Sequence, residues 1–157
     1  MSATTERSIT VTINGTTYER EVEARKLLIH FVRDDLDLTG SHIGCDTGNC
    51  GACSLIVDGT LVKSCMMLAV QADGATIESV EGLADGDELN KLQLAFRDHH
   101  ALQCGYCTPG MLMSATALLR QNSSPSDEEI AKAIQGNICR CTGSWNIIEA
   151  VKGASGQ

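Results

Sequence analysis

The eight cysteines of this chain fall into two groups of four, and the first group has a spacing suited to iron and sulfide. The spacing is C-x4-C-x2-C followed, after eleven residues, by a fourth cysteine, and the members are Cys45, Cys50, Cys53 and Cys65. This is the spacing with which plant-type sites hold a [2Fe–2S] cluster. Three glycines in the same stretch favour turns with positive φ that point backbone N–H groups at sulfur. They are Gly44, Gly48 and Gly51.

The second group has the spacing C-x2-C, thirty-one residues, C-x-C, and its members are Cys104, Cys107, Cys139 and Cys141. Each pair precedes a predicted helix. Thr108 is expected to cap a helix that has Pro109 at its first position, and Thr142 or Ser144 a helix beginning near Trp145. Because helix N-termini favour negative charge, two of them facing one cluster are expected to raise its reduction potential.

Other uses of these thiols remain open at this point. Four cysteines in two short pairs can close a tetrahedral structural zinc site. Disulfides are disfavoured, because three cysteines within nine residues are poorly placed for bridging. An ordinary core of buried thiols is a third interpretation. His42 precedes the first group and can replace a cysteine as in Rieske-type sites, although four cysteines are already present.

Composition and charge exclude several classes of function. The 157 residues carry a net charge of −8, from 20 acidic and 12 basic residues, without a basic run that could neutralise phosphates. Nucleic acid is therefore not an expected partner. No stretch approaches the ~20 apolar residues of a membrane span. Residues 1–7 are polar and lack the apolar segment of a secretion signal, so a cytoplasmic location is expected. No nucleophile–base pair or phosphate loop is visible, and no catalytic residue is predicted.

Around the first group the pattern is that of a small sheet. Alternating apolar residues predict strands at 8–14 and 16–22 joined by a turn at Asn14-Gly15, and a second hairpin at 54–57 and 61–64 turns at Asp58-Gly59. A helix is predicted at 26–36 and a last strand at 75–80. Two hairpins, one crossing helix and a final strand predict an N-terminal β-grasp, plant-type ferredoxin-like domain.

Around the second group the pattern is helical. Helices are predicted at 89–100, 109–122 and 145–152, and a fourth follows a capping box that begins at Ser126. Four short helices predict a C-terminal four-helix bundle. The acidic stretch 81–88, with two glycines, is interpreted as the link. The chain is therefore predicted to be α+β, with domains at 1–82 and 83–157.

The cysteine motifs resemble a known family. The chain is similar to the small, two-cluster subunit of the molybdenum hydroxylases, the xanthine oxidase and carbon monoxide dehydrogenase superfamily. The motifs that carry this likeness are GCD at 44–46, CGAC at 50–53, QCGYCTPG at 103–110 and GNICRCTG at 136–143. The segments LLIHF at 27–31 and HIGCDT at 42–47 look most like the carbon monoxide dehydrogenase small subunit. The family usually has Tyr after Cys-Thr-Gly, whereas this chain has Ser144 and Trp145.

The resemblance implies a non-catalytic electron-transfer subunit with two [2Fe–2S] clusters held by all eight cysteines. In the family, the cluster of the helical domain lies nearest a molybdenum site on a large subunit that carries molybdopterin, often as the cytosine dinucleotide. The ferredoxin-domain cluster passes electrons to FAD on a medium subunit. Gln103 matches the residue that hydrogen-bonds the pterin, and Cys141 matches the ligand whose sulfur lies beside it. The implied assembly is a dimer of heterotrimers, cytoplasmic or peripheral at the inner face of the membrane.

Related complexes that oxidise aldehydes or N-heterocycles such as purines or nicotine are the alternatives to carbon monoxide dehydrogenase. A different class of hypothesis is a free ferredoxin-like carrier with a structural zinc bundle. An iron–sulfur redox sensor is a third idea, for which no DNA-binding surface is visible in the sequence.

Overall fold

The structure is a computed structural model that describes residues 5–156. Residues 1–4 and 157 lie outside the described part. The expectation about a secretion signal rests on residues 1–7 and so falls partly outside it, as do the two ends of the predicted domains.

The N-terminal half forms one mixed five-stranded sheet with strand order β2-β1-β5-β3-β4. Neighbouring strands are antiparallel except β1 and β5, which run parallel. The strands are β1 (Glu6–Ile13), β2 (Thr16–Glu23), β3 (Ser54–Val57), β4 (Thr60–Lys63) and β5 (Thr76–Glu78). All five predicted strands are present, and the last is shorter than the predicted 75–80.

Both predicted hairpin turns are confirmed by their backbone angles. Asn14 and Gly15 have φ of 50° and 81°, and Asp58 and Gly59 have φ of 47° and 78°. Two consecutive residues with positive φ make the turn that matches the twist of the flanking strands. The second turn pairs Ser54 with Lys63, so the strand that leaves the first cysteine loop returns beside it.

The predicted helix at 26–36 is shorter than expected. Helix α1 (Leu28–His30) has a single α-helical turn and continues as a π-helical turn over Phe31–Asp35. It begins late because the backbone before it pairs with the segment after Cys65. Ala69 N–H donates to Lys26 O at 2.8 Å, Leu27 forms a bridge with Leu68, and Leu28 N–H donates to Met67 O at 2.8 Å.

Within the described residues, four further α-helices make up the C-terminal half, as the sequence predicts. They are α2 (Lys91–Asp98), α3 (Thr108–Gln121), α4 (Asp127–Ile134) and α5 (Trp145–Ser155). Capping boxes start two of them: Asn90 accepts a hydrogen bond from Gln93 N, and Ser126 accepts one from Glu129 N. The helices share a core that includes Phe96, and no helix within residues 5–156 has the length and apolar character to cross a lipid bilayer.

Strand β3 is buried on both faces and joins the two halves. Leu55 and Val57 pack in the core beneath α1, whereas Ile56 packs against Met113 and Ala117 of α3. Because successive side chains point to opposite faces of a strand, four consecutive buried residues require cover on both sides. Helix α3 therefore completes the sheet, and the second half is fixed against the first cysteine loop.

A bidentate ion pair between α3 and the central strand β5 adds to this contact. The Arg120 guanidinium of α3 donates to both carboxylate oxygens of Glu78 in β5, at 2.6 and 2.7 Å. These hydrogen bonds lower the pKa of the Glu78 carboxyl. Because both side chains are partly exposed, we expect the pair to contribute no more than about 1 kcal/mol to folding.

Candidate metal centres

The hairpin β3–β4 brings the first four cysteines together. Cys45, Cys50 and Cys53 lie in the loop between α1 and β3, and Cys65 lies in a helical turn directly after β4. Ser64 secures the closure, because its N–H and its hydroxyl both donate to Cys53 O, at 3.3 and 2.7 Å.

The glycines of the loop serve two different purposes. Gly48 and Gly51 have φ of 75° and 72°, as predicted, and Asp46 also has a positive φ. Gly44 does not, so the expectation that it adopts a positive φ is wrong. A Cβ on Gly44 would lie 2.9 Å from Cys50 Sγ. Glycine is therefore needed at this position because any side chain would be too close to the sulfur.

Backbone N–H groups converge on one sulfur of this loop. Cys45 Sγ accepts hydrogen bonds from the N–H groups of Thr47, Asn49 and Cys50, at 3.4, 3.3 and 3.2 Å. Hydrogen bonding from the Thr47 side chain, and then from backbone N–H groups, lowers the pKa of the Cys45 thiol to about 6. Since the thiolate is the form that binds metal, this loop stabilises the ligand form of Cys45.

Cys53 and Cys65 form a buried pair, with 2% and 4% of their surfaces exposed. Burial, and then interaction with the Cys53 thiol, raises the pKa of the Cys65 thiol to about 11. In this dry environment two adjacent thiolates require a cation to balance their charge.

In the second group, each pair of cysteines lies just before a helix, as predicted. Cys104 and Cys107 precede α3, and Cys139 and Cys141 precede α5. The predicted capping is wrong. Helix α3 begins at Thr108, whose hydroxyl is buried without a partner, and Ser144 starts α5 with a φ of 68° and no side-chain cap. The Thr142 hydroxyl instead accepts from Ser144 N–H and lies 3.1 Å from Cys139 Sγ.

The thiols of the second group also interact in pairs. Burial, and then interaction with Cys139, raises the pKa of the Cys107 thiol to about 12. The pKa of Cys139 is lowered, because hydrogen bonds from Thr142 outweigh the effect of its burial. The pKa of Cys104 is lowered by the backbone N–H of Tyr106 and by contact with Cys141.

The thiols therefore interact within two groups of four, through Cys45–Cys50, Cys45–Cys65 and Cys53–Cys65 in the first group and Cys104–Cys107, Cys104–Cys139, Cys104–Cys141 and Cys107–Cys139 in the second. All eight are free thiols. A structural zinc site needs four ligands around a single ion, whereas each iron of a [2Fe–2S] cluster takes two thiolates. Each group supplies the four thiols that either kind of site requires.

Residues just before Cys139 bind the backbone of the first loop. Ile138 N–H donates to Cys50 O at 2.9 Å, and the Asn137 side-chain amide donates to Gly51 O at 3.0 Å. The buried Ser114 hydroxyl donates to Asn137 Oδ1 at 2.8 Å and so orients that amide. The two cysteine groups are thereby joined through adjacent residues of each.

Tyr106 and His42 make a second connection between the groups. The Tyr106 hydroxyl donates to Ile43 O at 2.7 Å, His42 Nδ1 lies 2.8 Å from Tyr106 O, and the two rings stack with centroids 4.6 Å apart. His42 thus contacts the neighbouring group through Tyr106, which is a structural use of this side chain.

Gln103 and Cys141 lie together on an exposed face of the second group. Gln103 Nε2 donates to Cys141 O at 3.3 Å, and both residues line a cavity of about 230 Å³ with Arg140. Large apolar side chains are exposed in this half of the chain, including Ile138 at 59% and Trp145 at 65%.

Sequence reasoning missed Asn137, Tyr106 and Lys63. Asn137 and Tyr106 stand within the quoted motifs, so their position beside cysteines was a usable signal. Lys63 carried no comparable signal, because its contact with the first loop depends on how the hairpin returns.

Family models agree with these two centres. A model described as a 2Fe-2S iron-sulfur cluster binding domain matches residues 11–95, and one described as a [2Fe-2S] binding domain matches residues 79–152. The chain is 52% identical over 149 residues to the nicotine 6-hydroxylase small subunit of Paenarthrobacter nicotinovorans, covering 95% of this chain and 90% of that protein. This chain belongs to the iron–sulfur small subunits of the molybdenum hydroxylases.

Other relatives have equally close sequences or folds. Caffeine dehydrogenase subunit gamma of Pseudomonas sp. (strain CBB1) is 52% identical over 151 residues, covering 94% of this chain and 90% of that subunit. The structure of quinoline 2-oxidoreductase from Pseudomonas putida 86 superimposes with a TM-score of 0.93 at 46% identity, over 96% of this chain and 94% of that one. The predicted ferredoxin-like fold, iron–sulfur cofactor and family are confirmed.

Replacing Gly110 should damage the junction between the two centres. A Cβ at this position would lie 2.1 Å from Gly51 O and 3.0 Å from Ala52 Cα, both in the backbone. We expect Gly110→Ala to destabilise the chain by about 1–3 kcal/mol, which is roughly 2–4 °C in Tm for each kcal/mol. Thermal unfolding measures this effect.

Gly136→Ala is the matched control, because its Cβ would meet only the Lys63 side chain, at 3.6 Å or more. An equal loss of stability in both variants would contradict the proposed close approach at Gly110.

Proposed function

We propose that all eight cysteines are cluster ligands, four for each of two [2Fe–2S] clusters, in a β-grasp domain (1–82) and a four-helix bundle (83–157). The single observation that carries this proposal is that the fold gathers four free thiols in each half, with Cys65 returned to the first loop by the β3–β4 hairpin and the other four placed before α3 and α5. Bound there, each cluster would supply reversible one-electron transfer.

The backbone then provides a short connection between the two ligand sets. Cys139 is covalently linked to Ile138, whose N–H donates to the carbonyl of Cys50 at 2.9 Å. One hydrogen bond and a few covalent bonds therefore separate a ligand of one cluster from a ligand of the other.

We propose that the exposed face with Gln103 and Cys141 meets a large subunit carrying molybdenum and molybdopterin, as the cytosine dinucleotide. The exposure of Gln103, Cys141 and the apolar Ile138 near them supports this proposal. The cluster held by Cys45, Cys50, Cys53 and Cys65 would pass electrons to FAD on a medium subunit. The assembly would be a cytoplasmic dimer of heterotrimers that can also lie against the inner face of the membrane. The substrate would be converted on the large subunit.

The names of the relatives favour an N-heterocycle as the substrate of the complex. Their names specify nicotine, caffeine and nicotinate at 46–52% identity, and an aldehyde oxidoreductase subunit of Escherichia coli (strain K12) is 39% identical. We therefore propose an N-heterocycle as the substrate class, ahead of an aldehyde. The sequence likeness to carbon monoxide dehydrogenase makes CO the third candidate.

Copurification from the native organism tests the assembly. We expect the tagged chain to bring down two larger subunits, with molybdenum and FAD in equal amounts, and to reduce a dye when an N-heterocycle is added. Recovery of the iron-loaded chain alone under gentle conditions would contradict the complex, and turnover only with CO or aldehydes would contradict the substrate class.

Serine variants test the assignment of ligands to clusters. Cys45→Ser and Cys107→Ser each remove one thiolate, the first from the sheet domain and the second from the helical domain. Because the ligand sets are separate, we expect each variant to lose a different one of two electron paramagnetic resonance signals. Ser8→Ala, at an exposed position of β1, is a control that retains all eight thiols. Loss of both signals in either variant while the chain stays folded would contradict independent clusters.

A further inference from the structure

The ammonium of Lys63 reaches the backbone of the first cysteine loop. Lys63 ends β4 and is half-buried, and its ammonium donates to Gly48 O at 2.7 Å and approaches Asn49 O at 3.5 Å. The ion pairs found among residues 5–156 do not include it. The positive charge is therefore directed at backbone oxygens of the loop.

The two carbonyls belong to peptide groups whose N–H groups donate hydrogen bonds to Cys45 Sγ. Gly48 C=O shares a peptide group with Asn49 N–H, which lies 3.3 Å from Cys45 Sγ. Asn49 C=O shares the next peptide group with Cys50 N–H, which lies 3.2 Å from the same sulfur. Both peptide bonds are trans, so oxygen and hydrogen point in opposite directions. Each peptide dipole has the ammonium at its negative end and the sulfur at its positive end.

This alignment has a definite electrostatic consequence. Hydrogen bonds in a chain polarise one another, so an ammonium on the oxygen strengthens the N–H donor on the far side. Hydrogen bonds to sulfur and nearby positive charge favour the cluster state with the extra electron, which raises the reduction potential. Half-burial of Lys63 limits the screening of its charge by solvent.

We propose that Lys63 is a positioning residue that raises the reduction potential of the Cys45/Cys50/Cys53/Cys65 cluster, acting through the peptide groups 48–49 and 49–50. The inference rests on the proposed ligand set. In an electron relay, this potential decides whether the cluster accepts electrons from its neighbour, so a side chain outside the ligand set would control the direction of flow.

The experiment compares variants of the full-length, cluster-loaded chain in a potentiometric titration with dithionite, followed by electron paramagnetic resonance. Lys63→Gln and Lys63→Met remove the charge, and Lys63→Arg keeps it. Lys91→Gln removes the same charge from an exposed position at the start of α2. The signal absent from Cys45→Ser identifies the cluster concerned.

We expect both neutral variants to make this cluster harder to reduce, with about a tenfold lower ratio of reduced to oxidised form at a fixed potential, or about 59 mV. The potential of the second cluster should not shift comparably in any variant. The potential of the first cluster should not shift comparably in Lys63→Arg or Lys91→Gln. Loss of the cluster from the neutral variants but not from Lys63→Arg would show that the charge is needed to retain the cluster rather than to set its potential, and would contradict the inference.

Two further results would overturn the inference. One is an unchanged potential in neutral variants that retain the cluster. The other is loss of the cluster in Lys63→Arg as well as in the neutral variants, which would make the shape of the side chain the requirement. Absence of iron or of both signals in the unmodified chain would instead contradict the proposed function, so the two failures are distinguishable.

Discussion

The close approach of two backbone segments holds the two centres of this protein in fixed relation. The carbonyls of Cys50 and Gly51 face residues 137–138, and the hydrogen bonds there leave no room for a side chain on Gly110. Rates of electron transfer depend steeply on distance, so a connection made of backbone atoms and one buried amide is a suitable constraint. Burial of Ser114, which orients that amide, places the constraint inside the fold rather than at its surface.

The rest of the fold supports this junction. The two hairpins return their strands through turns with positive φ, and the second brings Cys65 to the loop. Strand β3 is covered on one face by α1 and on the other by α3, so the helix that follows Cys107 is packed against the sheet that follows Cys53. The same apolar contacts that stabilise the chain therefore set the geometry of its two metal centres.

Local signals in the sequence predicted the local parts of this structure. The Asn14-Gly15 and Asp58-Gly59 turns, the capping box at Ser126 and the spacing of the cysteines are each determined within a few residues. The predicted start of α1 was wrong because Lys26 and Leu27 pair with a segment about forty residues away. The prediction that Thr108 caps α3 was also wrong because of tertiary packing. The fold buries the Thr108 hydroxyl without a hydrogen-bond partner at the start of that helix. The contacts of Asn137, Tyr106 and Lys63 span 15 to 86 residues in sequence, beyond the reach of local patterns.

The central claim is that each half of the chain holds one two-iron cluster on two pairs of thiolates. Mössbauer spectroscopy of the chain purified from cells grown on ⁵⁷Fe tests it most directly, together with metal analysis of the same sample. We predict four irons per chain and no zinc, with all iron of the oxidised protein in spin-coupled ferric pairs bound by sulfur. Two irons and one zinc per folded chain would contradict the account.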